Sequence, residues 1–230
     1  MLDQVRAEDV DLVVFGGDLA WGPFPRETVE RAMDTGLPAL YVRGNGDREM
    51  AAPAAPPGDW VAEVKRWCVG RLDPRHIDFL AGQSPTVTVE VDGLGEVLFC
   101  HGSPRSDEEI LTRRTPDARV ASTLEGVRAS VIVCGHTHMQ FDRTVGSVRV
   151  VNAGSVGMPY ERAPGAYWCR LSPEGIALRR TEYDFGAAAA AVERSGCPYA
   201  AEFAKEVVSP TSPEEALATF EPSEGQAPAE

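Results

Sequence analysis

Four glycine-rich turns, each close behind a short apolar run, constrain this chain more than any other feature of its sequence. They are Gly17-Asp18, Gly44-Asn45-Gly46-Asp47, His101-Gly102 and Gly135-His136-Thr137-His138. Short apolar runs bounded by turn residues are typical of buried strands. Open α/β sheets bind ligands at the carboxyl ends of their strands. The sequence therefore predicts that these Asp, Asn and His side chains meet at one edge of a sheet.

The order of predicted elements favours an α/β fold with a mixed sheet. Strands are predicted over residues 11–16 and 39–42, with a helix over 25–34 between them. Residues 86–91 alternate between apolar and polar side chains, which indicates an antiparallel, half-exposed strand. Further strands, hairpins and helices follow, namely strands over 97–100 and 131–134, hairpins near Gly146 and Gly175, and helices over 59–67, 115–127, 187–192 and 199–207. This pattern predicts a β-sandwich flanked by helices, as one domain over residues 1–212.

Two segments are predicted to lie outside regular structure. Residues 51–58 are rich in Ala and Pro and are predicted to form a loop. Residues 213–230 are acidic and rich in Pro, Ala and Glu, and are predicted to be a partly disordered tail.

Composition and charge restrict the partners and the compartment. The net charge of the 230-residue chain is −13, which repels nucleic acid. Its apolar runs are too short for a membrane helix, and its N-terminus lacks the apolar region of a signal peptide. The five cysteines are an odd number without a C-x-x-C pair, which predicts buried, reduced thiols. We therefore expect a cytoplasmic protein with no nucleic-acid or membrane partner.

Three of the four histidines fall in the glycine-rich turns. His101, His136 and His138 each follow a predicted strand, whereas His76 lacks this context and is predicted to be structural or exposed. Any one of these histidines alone would be explained better as an ordinary core or surface residue. Together with Asp18 they form a set of oxygen and nitrogen ligands suited to divalent transition metals.

The order Gly-Asp, Gly-Asn-x-Asp, His-Gly, Gly-His-x-His resembles the calcineurin-like metallophosphoesterase superfamily, and within it the small bacterial and archaeal phosphodiesterases. The resemblance covers roughly residues 11–183 and implies a four-layer α/β/β/α arrangement. It implies that Asp18 bridges two metal ions and that Asn45, His101 and His136 hold the second. His138 would hold the first ion, together with an Asp and a His from an N-terminal Asp-x-His.

The resemblance also implies a chemistry, which is hydrolysis by a metal-activated water with Asp18, Asn45 and His101 at the catalytic centre. The expected cofactors are two divalent ions, Mn²⁺, Fe²⁺ or Zn²⁺, and the expected substrate is a small phosphate ester, with a phosphodiester favoured. The weaker alternative of protein phosphatase activity lacks the insertions that a protein-substrate groove would use. A second class of function is a non-catalytic scaffold of the same fold.

The sequence departs from the family at two points. The Asp-x-His is missing ahead of Asp18, from which we expect the chain to be a shortened version of a longer product that lacks the first strand. Gly46 occupies a position where many relatives have a histidine that assists the leaving group. Other polar side chains flank the site motifs, and each is as well explained as a turn or surface residue as by a supporting or phosphate-contacting role: Asp47, Arg43, Arg48, Arg105 and Tyr160.

Overall fold

A mixed five-stranded sheet forms the centre of the protein in the computed structural model, which describes residues 1–52 and 58–221. Its strand order is β3-β4-β5-β7-β6, with β4-β5 and β5-β7 parallel and the outer pairs antiparallel. Two further pairs are separate, the parallel β1-β2 and the antiparallel hairpin β8-β9. The strands are β1 (Val13–Phe15), β2 (Ala39–Tyr41), β3 (Thr86–Val91), β4 (Gly95–Cys100), β5 (Val131–Cys134), β6 (Phe141–Val145), β7 (Val148–Asn152), β8 (Ala166–Ser172) and β9 (Gly175–Thr181).

The two faces of the central sheet bury different partners, as the period-two alternation of β5 requires. Val131 and Val133 point to one face, where they pack with residues of the β8-β9 hairpin such as Ile176. Ile132 and Cys134 point to the other face and pack with Leu124 and its neighbours. The predicted sandwich with a mixed sheet is confirmed.

The helices cover the sheets from outside. Helix α2 connects β1 and β2, because two parallel strands need a crossover connection between them. Its buried Val29 packs with Val64 of α4 and Leu80 of α5. The helices of the described residues are α1 (Leu2–Ala7), α2 (Pro25–Met33), α3 (Asn45–Ala51), α4 (Trp60–Val69), α5 (Pro74–Ala81), α6 (Asp117–Thr123), α7 (Phe185–Glu193), α8 (Ala200–Val208) and α9 (Pro213–Phe220). Each of these helices is too short or too polar to traverse a lipid bilayer.

Most predicted elements are confirmed, and the differences have local causes. Strand β1 is half-buried along its length, whereas its apolar run predicted burial on both faces. Helix α6 ends at Thr123, four residues before the predicted end at Val127. Helices α3 and α5 were not predicted. In both, the side chain of the third helical residue, Asp47 or His76, accepts the backbone N–H of the N-cap residue, so a polar contact rather than an apolar period closes the first turn.

The domain boundary predicted at residue 212 differs from the structure, because residues 213–220, predicted as the start of a partly disordered tail, form helix α9. Ser212 caps the helix, and Pro213 occupies its first turn, where the missing N–H costs nothing. Leu217 is fully buried and packs with Met139. The folded domain therefore extends through α9 to Glu221, and the rest of the predicted tail lies outside the described residues, as do residues 53–57 of the predicted loop.

Candidate metal centre

The carboxyl ends of four strands bring the predicted ligands towards one place. Asp18 follows β1, Asn45 opens α3 after β2, His101 directly follows β4, and His136 and His138 follow β5. Because β1-β2 and β4-β5 are parallel pairs, each pair delivers its two turns to the same edge.

Asp18, His101 and His136 direct three lone-pair atoms at one another. Nε2 of His101 lies 3.2 Å from Oδ2 of Asp18 and 3.1 Å from Nδ1 of His136. Their ligand atoms all lie within 4.8 Å of one another, and we refer to these three residues as the Asp18 cluster. Three acceptors at such short distances repel each other unless a proton or a cation lies between them. Carboxylate oxygen and imidazole nitrogen are ordinary ligands of divalent transition metals.

The other nitrogen of His101 fixes which atom faces the cluster. Nδ1 lies 2.7 Å from the carbonyl oxygen of Gly16, which can only accept, so Nδ1 carries a proton. Nε2 is then left to face Asp18 and His136. A backbone carbonyl behind the imidazole is the arrangement that orients metal-binding histidines.

Asp18 and His101 each favour the charged form of the other side chain. Burial raises the pKa of Asp18, but the hydrogen bond and charge of His101 and the Gly46 N–H outweigh it and lower that pKa to about 2. Burial lowers the pKa of His101, but the Asp18 carboxylate outweighs this and raises it above its usual range. The carboxylate is thus anionic at neutral pH and attracts a cation.

Asn45 and His138 each carry a buried polar atom without a partner in the described part of the chain. The atoms are Oδ1 of Asn45 and Nδ1 of His138. The amide oxygen of Asn45 lies on the loop whose Gly46 N–H donates to Asp18, and it fits a metal ligand, because burial without a partner costs about 1–3 kcal/mol. Burial and the charges of His101 and His136 lower the pKa of His138 to about 4, so its imidazole is neutral, as ligation requires. His138 is outside the Asp18 cluster.

Glycine is required where the loops approach Asp18 and His101. A Cβ on Gly44 would lie 2.1 Å from Oδ1 of Asp18, and a Cβ on Gly17 would lie 2.7 Å from Nδ1 of His101. Gly17 also has a φ of +100°, which other residues rarely adopt. Gly46 is less crowded, since its Cβ would lie 3.0 Å from the Asp18 carboxylate. The glycine pattern of the sequence therefore reflects close backbone packing around two predicted ligands.

Asp47 ties the two N-terminal loops of the site together. Its fully buried carboxylate accepts backbone N–H bonds from Asp18 at 2.7 Å, Leu19 at 2.8 Å and Gly44 at 3.0 Å. Burial and the charge of Asp18 raise the pKa of Asp47 to about 6 against these three bonds. Asp47 therefore has both predicted roles. Its bond to the Gly44 N–H caps the turn, and its bonds to Asp18 and Leu19 support the loop that carries Asp18.

The three predicted arginine candidates differ in their surroundings. Arg48 donates to Asp107 at 2.8 Å and to Glu108 at 2.6 Å, and Arg105 donates to Glu109 at 2.9 Å. These guanidinium groups are already neutralised by carboxylates. Arg43, one residue before Gly44, forms no ion pair within the described residues, and its Nε is buried without a partner.

Asn152 is a supporting residue for the histidine turn. Its Nδ2 donates to the carbonyl of Gly135 at 3.2 Å and to Oγ1 of Thr137 at 3.1 Å, and its Oδ1 accepts from Gly154. The predicted structural role of the segment that begins at Asn152 agrees with these contacts. Tyr160 lies beside the same turn, with its ring centroid 5.1 Å from that of His138.

A second group of acidic and histidine side chains lies away from these strand ends. Glu30, Asp73 and His76, which we call the Asp73 cluster, also place ligand atoms within 4.8 Å of one another. Nδ1 of the fully buried His76 accepts the backbone N–H of Asp73 at 3.0 Å and so caps α5. Arg26 pairs with Asp73 at 2.6 Å and Arg75 with Glu30 at 2.6 Å. The sequence did not predict this cluster, and its charges are neutralised internally.

Comparison with known proteins identifies the fold. A family model described as the calcineurin-like phosphoesterase superfamily domain matches residues 1–172. The hypothetical protein PH1004 from Pyrococcus horikoshii OT3 is similar in structure, with a TM-score of 0.78 and 16% identity over 92% of this chain and 90% of that one. A metallophosphoesterase from Sphaerobacter thermophilus has a TM-score of 0.70 and 22% identity over 89% and 90% of the two chains. No curated protein sequence matches the chain significantly.

Proposed function

The chain belongs to the calcineurin-like phosphoesterase superfamily, and we propose that it is a metal-dependent phosphodiesterase that acts on a small phosphate ester. The observation that carries the proposal is the convergence of Asp18, His101 and His136 on one point, and the buried, unpartnered Oδ1 of Asn45 supports it. We further propose a dinuclear centre in which Asp18, Asn45, His101 and His136 hold one ion and Asp18 and His138 contribute to the other.

The chain's own residues would bind and orient the reactants. Bound divalent ions supply Lewis-acid polarisation of the phosphoryl oxygens and a water of lowered pKa. The anionic Asp18 holds positive charge at the centre, and the Gly16 carbonyl fixes the imidazole of His101. Arg43 is the arginine candidate left to contact the phosphate, because carboxylates neutralise Arg48 and Arg105.

The leaving group must depart without help from residue 46. Glycine at this position offers no side-chain donor, so water, a substrate group or another side chain would supply the proton. We therefore propose that the enzyme favours esters with acidic leaving groups. Hydrolysis of aryl phosphodiesters should be much faster than hydrolysis of alkyl phosphodiesters, and equal rates would contradict this part of the proposal.

Charge and cysteine chemistry support the remaining parts of the proposal. A net charge of −13 opposes binding of nucleic acid, whereas a small phosphate ester can be attracted by bound cations. All five cysteines carry free thiols, and four of them are buried. Free thiols are typical of reducing compartments, so we place the protein in the cytoplasm.

A non-catalytic binding protein of the same fold is the second candidate. One observation favours it: within the described residues the Asp18 cluster offers ligands for a single ion, while His138 lies outside that cluster. Such a protein would retain metal at most as a structural element and would show no hydrolysis.

The decisive experiment measures hydrolysis of bis(p-nitrophenyl) phosphate with and without Mn²⁺, in the wild type and in Asp18→Asn. We expect a Mn²⁺-stimulated rate that falls to the metal-free background in Asp18→Asn. Asp142→Asn is a matched control, because Asp142 forms an ion pair with Arg149 on β6 and β7. The absence of any metal-stimulated rate in the wild type would favour the binding protein.

A further inference from the structure

Helix α9 packs directly behind one of the predicted metal ligands. The ring centroids of His138 and Tyr160 lie 5.1 Å apart, with the ring planes inclined by 31°. Phe220, the last residue of α9, continues this row with its centroid 5.9 Å from that of Tyr160. The imidazole of His138 is thus linked through one aromatic ring to the C-terminal helix.

The turn that carries His138 depends on such support, because its backbone is strained. His138 has a φ of +57°, a left-handed conformation that is unfavourable for residues other than glycine. Its N–H donates to the carbonyl of Gly135 at 2.7 Å, and its own carbonyl accepts the N–H of Tyr160 at 3.1 Å. The next residue, Met139, is buried against Leu217 of α9. Tyr160, which donates to the carbonyl of His138, and Met139, which follows it, therefore both contact α9.

Polar contacts fix α9 to the loops on either side of the turn. A carboxylate oxygen of Glu221 accepts from Oγ1 of Thr112 at 2.7 Å and from Oγ1 of Thr115. Glu214 pairs with Arg162 at 2.6 Å, two residues after Tyr160. The helix is therefore held at both ends, so it is placed in one position relative to the histidine turn.

We propose that α9 is a positioning element of the metal centre and that Phe220, through Tyr160, holds the imidazole of His138 in the orientation that binds metal. This inference rests on the proposed function in that it takes His138 to be a ligand. Phe220 touches neither metal nor substrate and acts only through Tyr160. The helix lies beyond residues 1–172, the part that the family model matches, so the match assigns it no role.

The test compares Phe220→Ala with Phe185→Ala. Phe185 is also half-buried and packs edge-to-face with one tyrosine, Tyr183, but it belongs to α7. We expect Phe220→Ala to weaken binding of the Mn²⁺ ion to which His138 would contribute by about tenfold, as loss of a supporting contact to a ligand does, and Phe185→Ala to leave it unchanged. Phe220→Tyr keeps the ring and should restore the wild-type affinity.

A second readout does not require metal. Protein labelled with ¹⁵N-histidine gives imidazole signals from only four residues. In protein stripped of metal, Phe220→Ala should shift or broaden the His138 signals and leave those of His76 unchanged. Identical affinities and identical His138 signals in the two alanine variants would overturn the proposal. If the wild type binds no Mn²⁺ but Phe220→Ala still alters His138, the proposed function fails while the positioning role stands.

Discussion

The Asp18 cluster and the Asp73 cluster contain the same kinds of side chain but direct them differently. Both place carboxylate and imidazole atoms within 4.8 Å of one another. In the Asp73 cluster, two arginines neutralise the carboxylates and Nδ1 of His76 is occupied by a backbone N–H. In the Asp18 cluster, the carboxylate lacks an arginine partner within the described chain and Nε2 of His101 faces other acceptors.

This difference shows that proximity of acidic and histidine residues does not define a metal site. What distinguishes the Asp18 cluster is a carboxylate oxygen and two ring nitrogens that face one another with no arginine partner in the described chain, on a frame that backbone atoms hold. The Asp73 cluster instead uses the same groups to close a helix and to join α2 to α5.

The largest contrast is expected between His101→Ala and His76→Ala. Loss of His101 removes a central member of the Asp18 cluster and should reduce Mn²⁺-stimulated hydrolysis to background. Loss of His76 removes a helix cap and should cost about 1–2 kcal/mol of stability with an unchanged rate. Activity assays and chemical denaturation check both. Equal losses of rate would show that the two clusters are not functionally distinct.

Two aspartates at helix N-termini extend the comparison of the two clusters. Asp47→Asn keeps the size of the side chain but cannot accept three N–H bonds equally well, so the Asp18 loop should shift and Mn²⁺ affinity should fall roughly 10–100-fold. Asp73 is the N-cap residue of α5 but its carboxylate bonds Arg26, so Asp73→Asn should cost less than about 1 kcal/mol of stability, through the exposed ion pair alone. Calorimetric titration with Mn²⁺ measures the affinities. An Asp47→Asn protein with wild-type affinity would remove Asp47 from the supporting residues.

Metal affinity should depend on pH through His101. Because the pKa of His101 is raised above its usual range, a proton on Nε2 competes with a metal ion up to a higher pH than it would on an ordinary histidine. Affinity should therefore rise by about tenfold per pH unit until the pH exceeds the pKa of His101, and then level off. Titrations in buffers of different ionisation enthalpy would show release of one proton. His76→Ala should give the same slope, whereas a flat profile in the wild type would contradict the role of His101.

The smallest effect is expected for Arg26→Gln. The side chains of Arg26 and Asp73 are 39% and 43% exposed. Loss of their ion pair should therefore cost less than about 1 kcal/mol of stability. Metal affinity should not change. A clear loss of Mn²⁺ binding in this variant, measured by calorimetry, would indicate that the Asp73 cluster also takes up metal.

The sequence was sufficient for the strands and for the ligand candidates, because both follow from local patterns. Apolar runs that end in glycine-rich turns predicted β1, β2, β4 and β5, and the sandwich is confirmed. The sequence could not show that Arg48 is neutralised, since Arg48 pairs with Asp107, 59 residues away. Ion pairs of this separation depend on tertiary structure rather than on any local pattern.

Helix α9 was missed although a local signal was present. Ser212 followed by Pro213 and Glu215 is a capping box with proline in the first turn, and it precedes Ala216 and Leu217. The acidic, proline-rich composition of the surrounding segment outweighed this signal. The contacts of Leu217 with Met139 then supply the burial that a short helix needs and that composition alone does not reveal.

A crystal of the protein soaked in Mn²⁺ and measured at a wavelength where manganese scatters anomalously would test the distinction between the two clusters most directly. We predict an anomalous peak among Oδ2 of Asp18, Nε2 of His101 and Nδ1 of His136, within bonding distance of Oδ1 of Asn45. We predict no peak among Glu30, Asp73 and His76. A peak at the Asp73 cluster, or none at the Asp18 cluster, would contradict the assignment of the metal centre.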